Sequence, residues 1–103
     1  MAYTNITKEN LDEILMNIGK PVLLDFWAPW CNPCMQLTPI VEQIGNERED
    51  IIVGKINVDD APDIARRFRV MSIPTLLVLK GGEVTAKAVG FRTKAEILKL
   101  LEK

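Results

Sequence analysis

The sequence of 103 residues contains no histidine. Without an imidazole, the chain cannot build a Ser-His-Asp or Cys-His catalytic pair, nor a histidine-ligated metal site. Its two cysteines supply only half of the four Cys or His ligands that a tetrahedral zinc site needs. We therefore expect no metal site unless two chains share one, and chemistry that uses other side chains.

The sequence also lacks an excess of charge and long apolar runs. Thirteen basic and fourteen acidic residues leave a net charge of -1, which gives no surplus for holding a polyanion such as nucleic acid. No apolar run approaches the ~18 residues that cross a bilayer, and acidic side chains occur near the start where a signal peptide is apolar. We expect no nucleic-acid partner, no membrane association and a cytoplasmic location.

The remaining composition is that of an ordinary globular domain, with 48% hydrophobic and 26% charged residues. Its length suits one domain, since domains commonly run to ~100–150 residues. No repeat, low-complexity tract or linker-like stretch divides the chain. We expect residues 1–103 to form a single domain.

Apolar spacing predicts alternating helices and strands in the first half. Apolar residues spaced as on one face of a helix predict a helix from about Lys8 to Ile18, with Thr7 as N-cap and Gly19 as the C-terminal stop. The run from Val22 to Trp27 is nearly all apolar apart from Asp25, which predicts a strand covered on both faces.

Further elements follow the same alternation. We predict a helix from about Pro33 or Cys34 to Glu47, kinked at Pro39, and a strand from Ile51 to Val58. A short helix opens at Asp60-Ala61-Pro62-Asp63, with Ile64 and Phe68 facing inward.

The second half predicts a hairpin and a last helix. Thr75–Leu79 and Val84–Val89 are strand-like runs on either side of Gly81-Gly82, a pair suited to a tight turn between antiparallel strands. Thr93-Lys94-Ala95-Glu96 has the capping-box pattern, and Ile97, Leu98 and Leu101 then form a buried stripe. The predicted class is α/β, with helices packed on a mixed sheet.

The two cysteines lie where the first predicted strand gives way to a helix. The free N–H groups and the dipole of a helix N-terminus stabilise a thiolate, so the pKa of Cys31 should lie below about 8.5. Cys34 follows one helical turn later, within roughly 5–6 Å, which makes a reversible disulfide feasible. Pro33 suits the first helical turn and should stiffen the loop.

Other interpretations of the pair have less support. Both cysteines could be inert core residues, which are often buried. A structural disulfide would gain little from closing so short a loop and would be reduced in the cytoplasm. An iron–sulfur or zinc site shared between subunits has few ligands.

Four segments taken together closely resemble the thioredoxin family. They are DFWAPWCNPC from Asp25 to Cys34, KINVDD from Lys55 to Asp60, SIPTLLVLKGG from Ser72 to Gly82, and VGFRTK from Val89 to Lys94. The resemblance implies a four- to five-stranded mixed sheet flanked by four helices and general protein-disulfide reductase activity. It also implies re-reduction by an NADPH-dependent flavoprotein, thioredoxin reductase, and no bound cofactor. We expect the protein to act as a monomer.

Asp25 and Lys55 are candidate catalytic residues. A carboxylate inside an apolar run is poorly solvated and its pKa should rise, although Asp25 could instead lie at the strand end and point to solvent or cap a loop. The resemblance implies burial behind the cysteines, where Asp25 accepts the proton of the resolving thiol. Lys55 is similar to the family's lysine beside that aspartate, the alternative being an ordinary outward-facing lysine.

A second set of candidates would bind substrate. The SIPT match implies a cis bond at Pro74 that faces the cysteines and presents the Ile73 backbone to substrate. Trp30, Ile73 and the Gly90-Phe91 corner would then form a shallow apolar patch around the active sulfur. Such a patch suits an extended, partly unfolded peptide.

Two positions depart from the family pattern. Asn32-Pro33 stands where Gly-Pro is usual, and this dipeptide tunes thiolate stability and reduction potential in a direction that the sequence leaves open. Met35 replaces the lysine or arginine that commonly follows the second cysteine, which removes one source of positive potential.

The predicted reaction is two-step thiol–disulfide exchange, with Cys31 as attacking nucleophile and Cys34 as resolving thiol. One alternative is a disulfide isomerase or oxidase of the same fold, which would work at a higher potential in an oxidising compartment. Another is a redox-silent module that uses the same patch to bind a partner protein.

Overall fold

The computed structural model describes residues 3–16 and 19–103. Strands and helices alternate through most of this chain and end with a hairpin and a helix. In chain order they are β1 (Thr4–Asn5), α1 (Leu11–Leu15), β2 (Val22–Trp27), α2 (Asn32–Glu47), β3 (Ile52–Asn57), α3 (Pro62–Arg67), β4 (Thr75–Lys80), β5 (Glu83–Val89) and α4 (Lys94–Leu101).

The strands form one mixed sheet in the order β1-β3-β2-β4-β5. β3 pairs in parallel with both β1 and β2, whereas β4 pairs antiparallel with β2 and β5. The predicted mixed α/β sheet with four helices is therefore confirmed, in its five-stranded form. β2 lies at the centre, and its register places Asp25 between Lys55 on β3 and Leu76 on β4.

Each face of the sheet carries its own apolar core, because side chains alternate along every strand. On one face, Leu24 and Phe26 of β2 pack with residues of α1 and α3. On the other, Leu23 packs with the buried stripes of α2 and α4, which include Leu37 and Ile97. Asp25 belongs to the second face, so α2 covers the strand position from which the carboxylate projects.

Helix α2 spans the region predicted for it and continues through Pro39. Its inward stripe consists of Leu37, Val41 and Ile44, all completely buried. Burial of each such side chain stabilises the fold by about 1.5–3 kcal/mol, which anchors the helix to the sheet. The helix N-terminus, and with it the cysteine pair, is thereby fixed at the end of β2.

The start of the chain differs from the prediction. Thr7 was expected to cap α1, but Asn10 is the N-cap and Thr7 lies in the preceding turn. The Asn10 side chain accepts a hydrogen bond from the Thr7 N–H at 2.7 Å and donates one to the Asn5 carbonyl, so it stabilises this turn instead of a longer helix. α1 ends at Leu15, before the predicted stop at Gly19, and Ile18 lies outside the described residues.

Strand β1 had no counterpart in the sequence prediction. It contains only two residues, both exposed, and so shows no apolar pattern. Its conformation comes from parallel pairing with Gly54 and Lys55 of β3. A strand of this kind depends on a distant partner and cannot be recognised from local periodicity.

The predicted hairpin and last helix are both present. Gly81 and Gly82 adopt φ values of 61° and 82°, which glycine reaches without a steric penalty, in the turn between β4 and β5. The Thr93 hydroxyl accepts a hydrogen bond from the Glu96 N–H, and the Glu96 carboxylate accepts one from the Thr93 N–H. This is the capping box that the sequence predicted for α4.

The short helix α3 likewise follows the prediction, with Ile64 buried and Phe68 packed on the same core. Its N-cap is Ala61, whose side chain makes no capping bond. None of the helices in residues 3–16 and 19–103 has both the length and the apolar character needed to cross a bilayer.

Candidate active site

The cysteine pair occupies the junction of β2 and α2. Cys31 is the N-cap of the helix and Cys34 lies in its first turn, with the two Cα atoms 5.2 Å apart and the sulfurs joined in a disulfide. The Cys34 N–H donates a hydrogen bond to the Cys31 sulfur at 3.3 Å. A free N–H at a helix N-terminus thus points at Cys31, which is the arrangement that stabilises a thiolate.

The two sulfurs differ in access. Cys31 retains 7% of its surface, whereas Cys34 is completely buried. Between them, Asn32 and Pro33 are exposed, and Pro33 lies in the first helical turn, where its missing N–H costs no hydrogen bond. A substrate approaching from solvent therefore reaches Cys31 and not Cys34.

Asp25 is completely buried, and neither of its carboxylate oxygens has a hydrogen-bond partner. Burial raises the pKa of this carboxyl from 3.8 to about 7, because the charged form loses its hydration; the positive charge of Lys55 opposes the rise. The solvent-facing alternative for Asp25 is therefore wrong. The side chain can exchange a proton close to neutral pH.

Lys55 is also buried, with 5% of its surface exposed. Its Nζ lies 4.8 Å from the ring centroid of Trp27 and 5.0 Å from that of Tyr3. The ammonium donates a hydrogen bond to the Thr38 hydroxyl at 3.3 Å. The outward-facing alternative for Lys55 is therefore wrong. The ammonium makes no hydrogen bond to Asp25, the neighbouring carboxylate on β2.

The predicted substrate-binding residues lie on three loops. Trp30 is 67% exposed and Phe91 42%, and the Ile73–Pro74 bond is cis, as the resemblance implied. Gly90 has a φ of 93° and donates its N–H to the Pro74 carbonyl at 2.8 Å, which ties the 90–91 corner to the proline loop. A backbone hydrogen bond therefore joins the corner to the proline loop, and Ile73 of that loop packs against the cluster that contains Cys31 and Cys34.

A cavity of about 190 Å³ lies between the Trp30 loop and the proline loop. Trp30, Met71 and Ile73 are among the residues that line it. Met71 extends into solvent with 92% of its surface exposed. These side chains give the surface near Cys31 an apolar character.

A larger groove of about 860 Å³ opens at the β1 edge of the sheet. It is lined by parts of segments 5–12 and 55–67 together with Trp27, and contains neither cysteine. An ion pair between Asp12 of α1 and Arg67 of α3, at 3.2 Å, joins two of its walls. Among the described residues, no group of three Cys, Asp or Glu side chains is placed to hold a metal ion.

Two residues of the site were not predicted from the sequence. Asp59 accepts a hydrogen bond from the Trp30 indole at 2.9 Å and so orients the exposed ring. Thr38 connects Lys55 to the Cys34 carbonyl, to which its hydroxyl donates at 3.1 Å. A signal existed for Thr38, since a residue four positions after Cys34 lies on the same helical face. Asp59 belongs to the KINVDD segment, but nothing local indicated its partner.

The sequence was compared with known proteins, and the matches agree on one family. The family model described as Thioredoxin matches residues 2–103. The thioredoxin of Chlorobaculum thiosulfatiphilum is 42% identical over 101 residues, which cover 97% of this chain and 94% of that protein. The thioredoxin of Mycobacterium tuberculosis (strain ATCC 25618 / H37Rv) is also 42% identical over 101 residues, covering 97% of this chain and 87% of that protein.

A further relative is a fusion. The protein named bifunctional thioredoxin reductase/thioredoxin from Mycobacterium leprae is 43% identical over 86 residues, which are 82% of this chain and 19% of that protein. The family match extends over nearly all of the chain, and the cysteine pair, the buried aspartate and the cis-proline loop all lie within it. This protein belongs to the thioredoxin family.

Proposed function

We propose that this protein reduces disulfide bonds in protein substrates by dithiol–disulfide exchange. The observation that carries the proposal is the pairing of an accessible Cys31 sulfur at a helix N-terminus with a buried Cys34 sulfur one turn later. Membership of the thioredoxin family supports the same reaction. The enzyme is accordingly a thiol–disulfide oxidoreductase that cycles between dithiol and disulfide.

The first step begins in the reduced enzyme. The Cys31 thiolate attacks one sulfur of the substrate disulfide, that S–S bond breaks, and a new S–S bond joins Cys31 to the substrate. The second substrate sulfur leaves as a thiolate. The hydrogen bond from the Cys34 N–H supports Cys31 as the nucleophile, because it stabilises the charged form of the attacking sulfur.

The second step releases the substrate. Cys34 gives its proton to Asp25, and the resulting thiolate attacks the Cys31 sulfur and displaces the remaining substrate sulfur as a thiolate. Two electrons have then passed to the substrate, and the enzyme is left as the disulfide. The pKa of about 7 at Asp25 supports this role, since a base is most effective when its pKa is close to the working pH.

Substrate recognition is proposed for the surface around Cys31. Trp30, Ile73, Pro74, Gly90 and Phe91 would hold an extended segment, with the Ile73 backbone forming strand-like hydrogen bonds. The exposed aromatic rings and the proline loop support this arrangement. Asn32 and Pro33, which lie between the two sulfurs, would set the reduction potential.

The oxidised enzyme needs a source of two electrons. We propose an NADPH-dependent thioredoxin reductase as that partner, acting on a monomer in the cytoplasm, where a protein-disulfide reductase would be kept reduced. The Mycobacterium leprae relative, whose name joins thioredoxin reductase to thioredoxin in one chain, supports this pairing.

Insulin reduction in the presence of dithiothreitol tests the function. Wild-type protein should accelerate the precipitation of insulin, and Cys31→Ser should abolish the acceleration. In a separate incubation without dithiothreitol, the reduced Cys34→Ser variant should accumulate a covalent mixed disulfide with substrate, visible by mass spectrometry, because the resolving thiol is missing. Release of reduced insulin by Cys34→Ser at the wild-type rate, without added thiol, would contradict the assigned roles.

The reduction potential separates reductase from isomerase or oxidase. Equilibration with a glutathione couple should give a value near about -270 mV, typical of thioredoxin. A value near about -180 mV or -120 mV would indicate an isomerase or an oxidase instead. Unchanged partner binding after alkylation of both cysteines, together with no insulin reduction, would favour a redox-silent binding module.

A further inference from the structure

Lys55 and Asp25 face each other across two strands without forming a hydrogen bond. They are register partners on β3 and β2, and neighbouring strands lie only ~4.8 Å apart. Both side chains are buried, yet both Asp25 oxygens lack hydrogen-bond partners. A flexible lysine next to an unpaired carboxylate would be expected to bind it, so something must hold the ammonium elsewhere.

Three neighbours hold the Lys55 ammonium. The rings of Trp27 and Tyr3 lie 4.8 Å and 5.0 Å from Nζ, within the range of cation–π attraction. These rings restrict the location of the ammonium but not the direction of its N–H bonds, because they offer no lone pair toward which an N–H can point. The directed contact is the hydrogen bond from Nζ to the Thr38 hydroxyl at 3.3 Å.

The Thr38 hydroxyl is itself oriented. It donates its proton to the Cys34 carbonyl at 3.1 Å, so a lone pair of its oxygen is free to accept from Lys55. The anchor for the lysine is thus tied to the backbone of the proposed resolving cysteine. Thr38 lies one helical turn after Cys34 on α2, the helix that covers this face of the sheet.

We propose that Thr38 is a positioning residue that holds the Lys55 ammonium away from the Asp25 carboxylate. With the ammonium held on Thr38, Asp25 is unpaired and remains able to take up a proton. Without the hydroxyl, the ammonium would lose its directed acceptor, and the unpaired oxygens of Asp25, its register partner on β2, would be available to replace it. The resulting ion pair would keep Asp25 charged and weaken it as a base.

The charged surroundings of Asp25 are simple. Lys55 is the one charged group of the described chain that shifts its titration. β4 contributes Leu76 beside it, and Cys31 and Cys34 of α2 do not titrate while they are joined as a disulfide. Tyr3 packs on Lys55. The charged residues of the covering helices α2 and α4 are partly or fully exposed: Glu42, Glu47, Lys94, Glu96 and Lys99.

The test is a titration of Asp25 in the oxidised protein. Carboxyl carbon chemical shifts of ¹³C-labelled aspartate would be followed with pH for wild type, Thr38→Val and Thr38→Ser. Valine keeps the branched shape but removes the hydroxyl, whereas serine keeps the hydroxyl. We expect the pKa of Asp25 to fall by about one unit in Thr38→Val, the lower end of the range for a carboxylate beside a cation, and to stay near the wild-type value in Thr38→Ser.

A Lys55→Met background is the matched control. If Thr38 acts through the lysine, Thr38→Val should leave the pKa of Asp25 unchanged there. An unchanged or raised pKa in Thr38→Val with Lys55 present would overturn the proposal, as would an equal fall in both backgrounds. Should Thr38→Val fold poorly, Thr38→Ala gives the same readout, because alanine also lacks the hydroxyl and favours helix.

The proposal rests on the proton-acceptor role given to Asp25 above, but its test does not require activity. The titration uses oxidised protein without substrate, so it can succeed even if insulin is not reduced. In the reduced enzyme, the rate at which Cys34 releases substrate from the mixed disulfide should rise with pH. This rise should occur at lower pH in Thr38→Val than in wild type, and at the wild-type pH in Thr38→Ser. A loss of thermal stability without that movement would indicate a structural role only.

Discussion

Replacing Asp25 by asparagine should stabilise the protein by an amount that depends on pH. The folded state raises the pKa of this carboxyl from 3.8 to about 7, because burial penalises its charged form. The folded state therefore binds the Asp25 proton more tightly than the unfolded chain does. The resulting contribution to the free energy of unfolding is fully present below about pH 3.8. That contribution is lost as the pH rises towards 7, since the unfolded chain ionises first, and it changes little above that value.

The size of the effect follows from the pKa difference. Each unit corresponds to about 1.4 kcal/mol, so a difference of about three units corresponds to a loss of about 4 kcal/mol across this window. Asparagine does not ionise, so the free energy of unfolding of Asp25→Asn lacks this pH-dependent contribution. The stability advantage of Asp25→Asn over wild type should therefore grow by about 4 kcal/mol between about pH 3.5 and pH 8. The amide remains a buried polar group, so only the growth with pH is diagnostic.

Guanidinium denaturation of oxidised protein at a series of pH values measures this growth. Asp60→Asn is the matched control, because Asp60 is exposed and an exposed substitution changes stability by only about 0.5 kcal/mol. A difference between Asp25→Asn and wild type that stays constant with pH would contradict the raised pKa of Asp25 in the folded state. Asp25→Asn should also slow insulin reduction near neutral pH, since the proposed base is gone.

Two further predictions concern residues whose contacts no local pattern indicates. Asp59→Ala should raise KM for insulin several-fold with little change in kcat or stability, because the 2.9 Å hydrogen bond that orients Trp30 is lost; an unchanged KM in steady-state kinetics would contradict this. Gly54→Ala should destabilise the protein by about 1–3 kcal/mol, because its Cβ would lie 2.8 Å from Ile6 side-chain carbons. Chemical denaturation checks this; Ile6→Ala, which truncates a buried side chain, should cost less stability in the Gly54→Ala background than in wild type, because the clash is relieved there.

Local sequence patterns determined most of the secondary structure. The apolar run of β2, the inward stripe of α2 and the capping box of α4 involve residues at most a few positions apart, so their spacing is visible in the chain. The same holds for the cysteine pair, since a Cys-X-X-Cys segment between a strand and a helix places both sulfurs at the helix N-terminus. Strand β1 was not predicted because it depends on pairing with a distant strand. The cap of α1 was predicted at Thr7, but the Asn10 side chain binds the Thr7 N–H and forms a turn there instead.

The environment of the candidate site was decided by tertiary structure. The sequence left both a buried and an exposed location open for Asp25 and for Lys55. The resemblance to a family favoured Asp25 buried behind the cysteines with Lys55 beside it, but it indicated neither Thr38 nor the aromatic rings that hold the ammonium. Thr38 meets Lys55 across a separation of 17 residues, and Trp30 meets Asp59 across 29. Such contacts arise when helices and strands pack, and no periodicity records them. The order of residues thus indicated which groups carry the chemistry, whereas packing decided the burial that raises the pKa of Asp25 and the hydrogen bonds that orient Lys55 and Trp30.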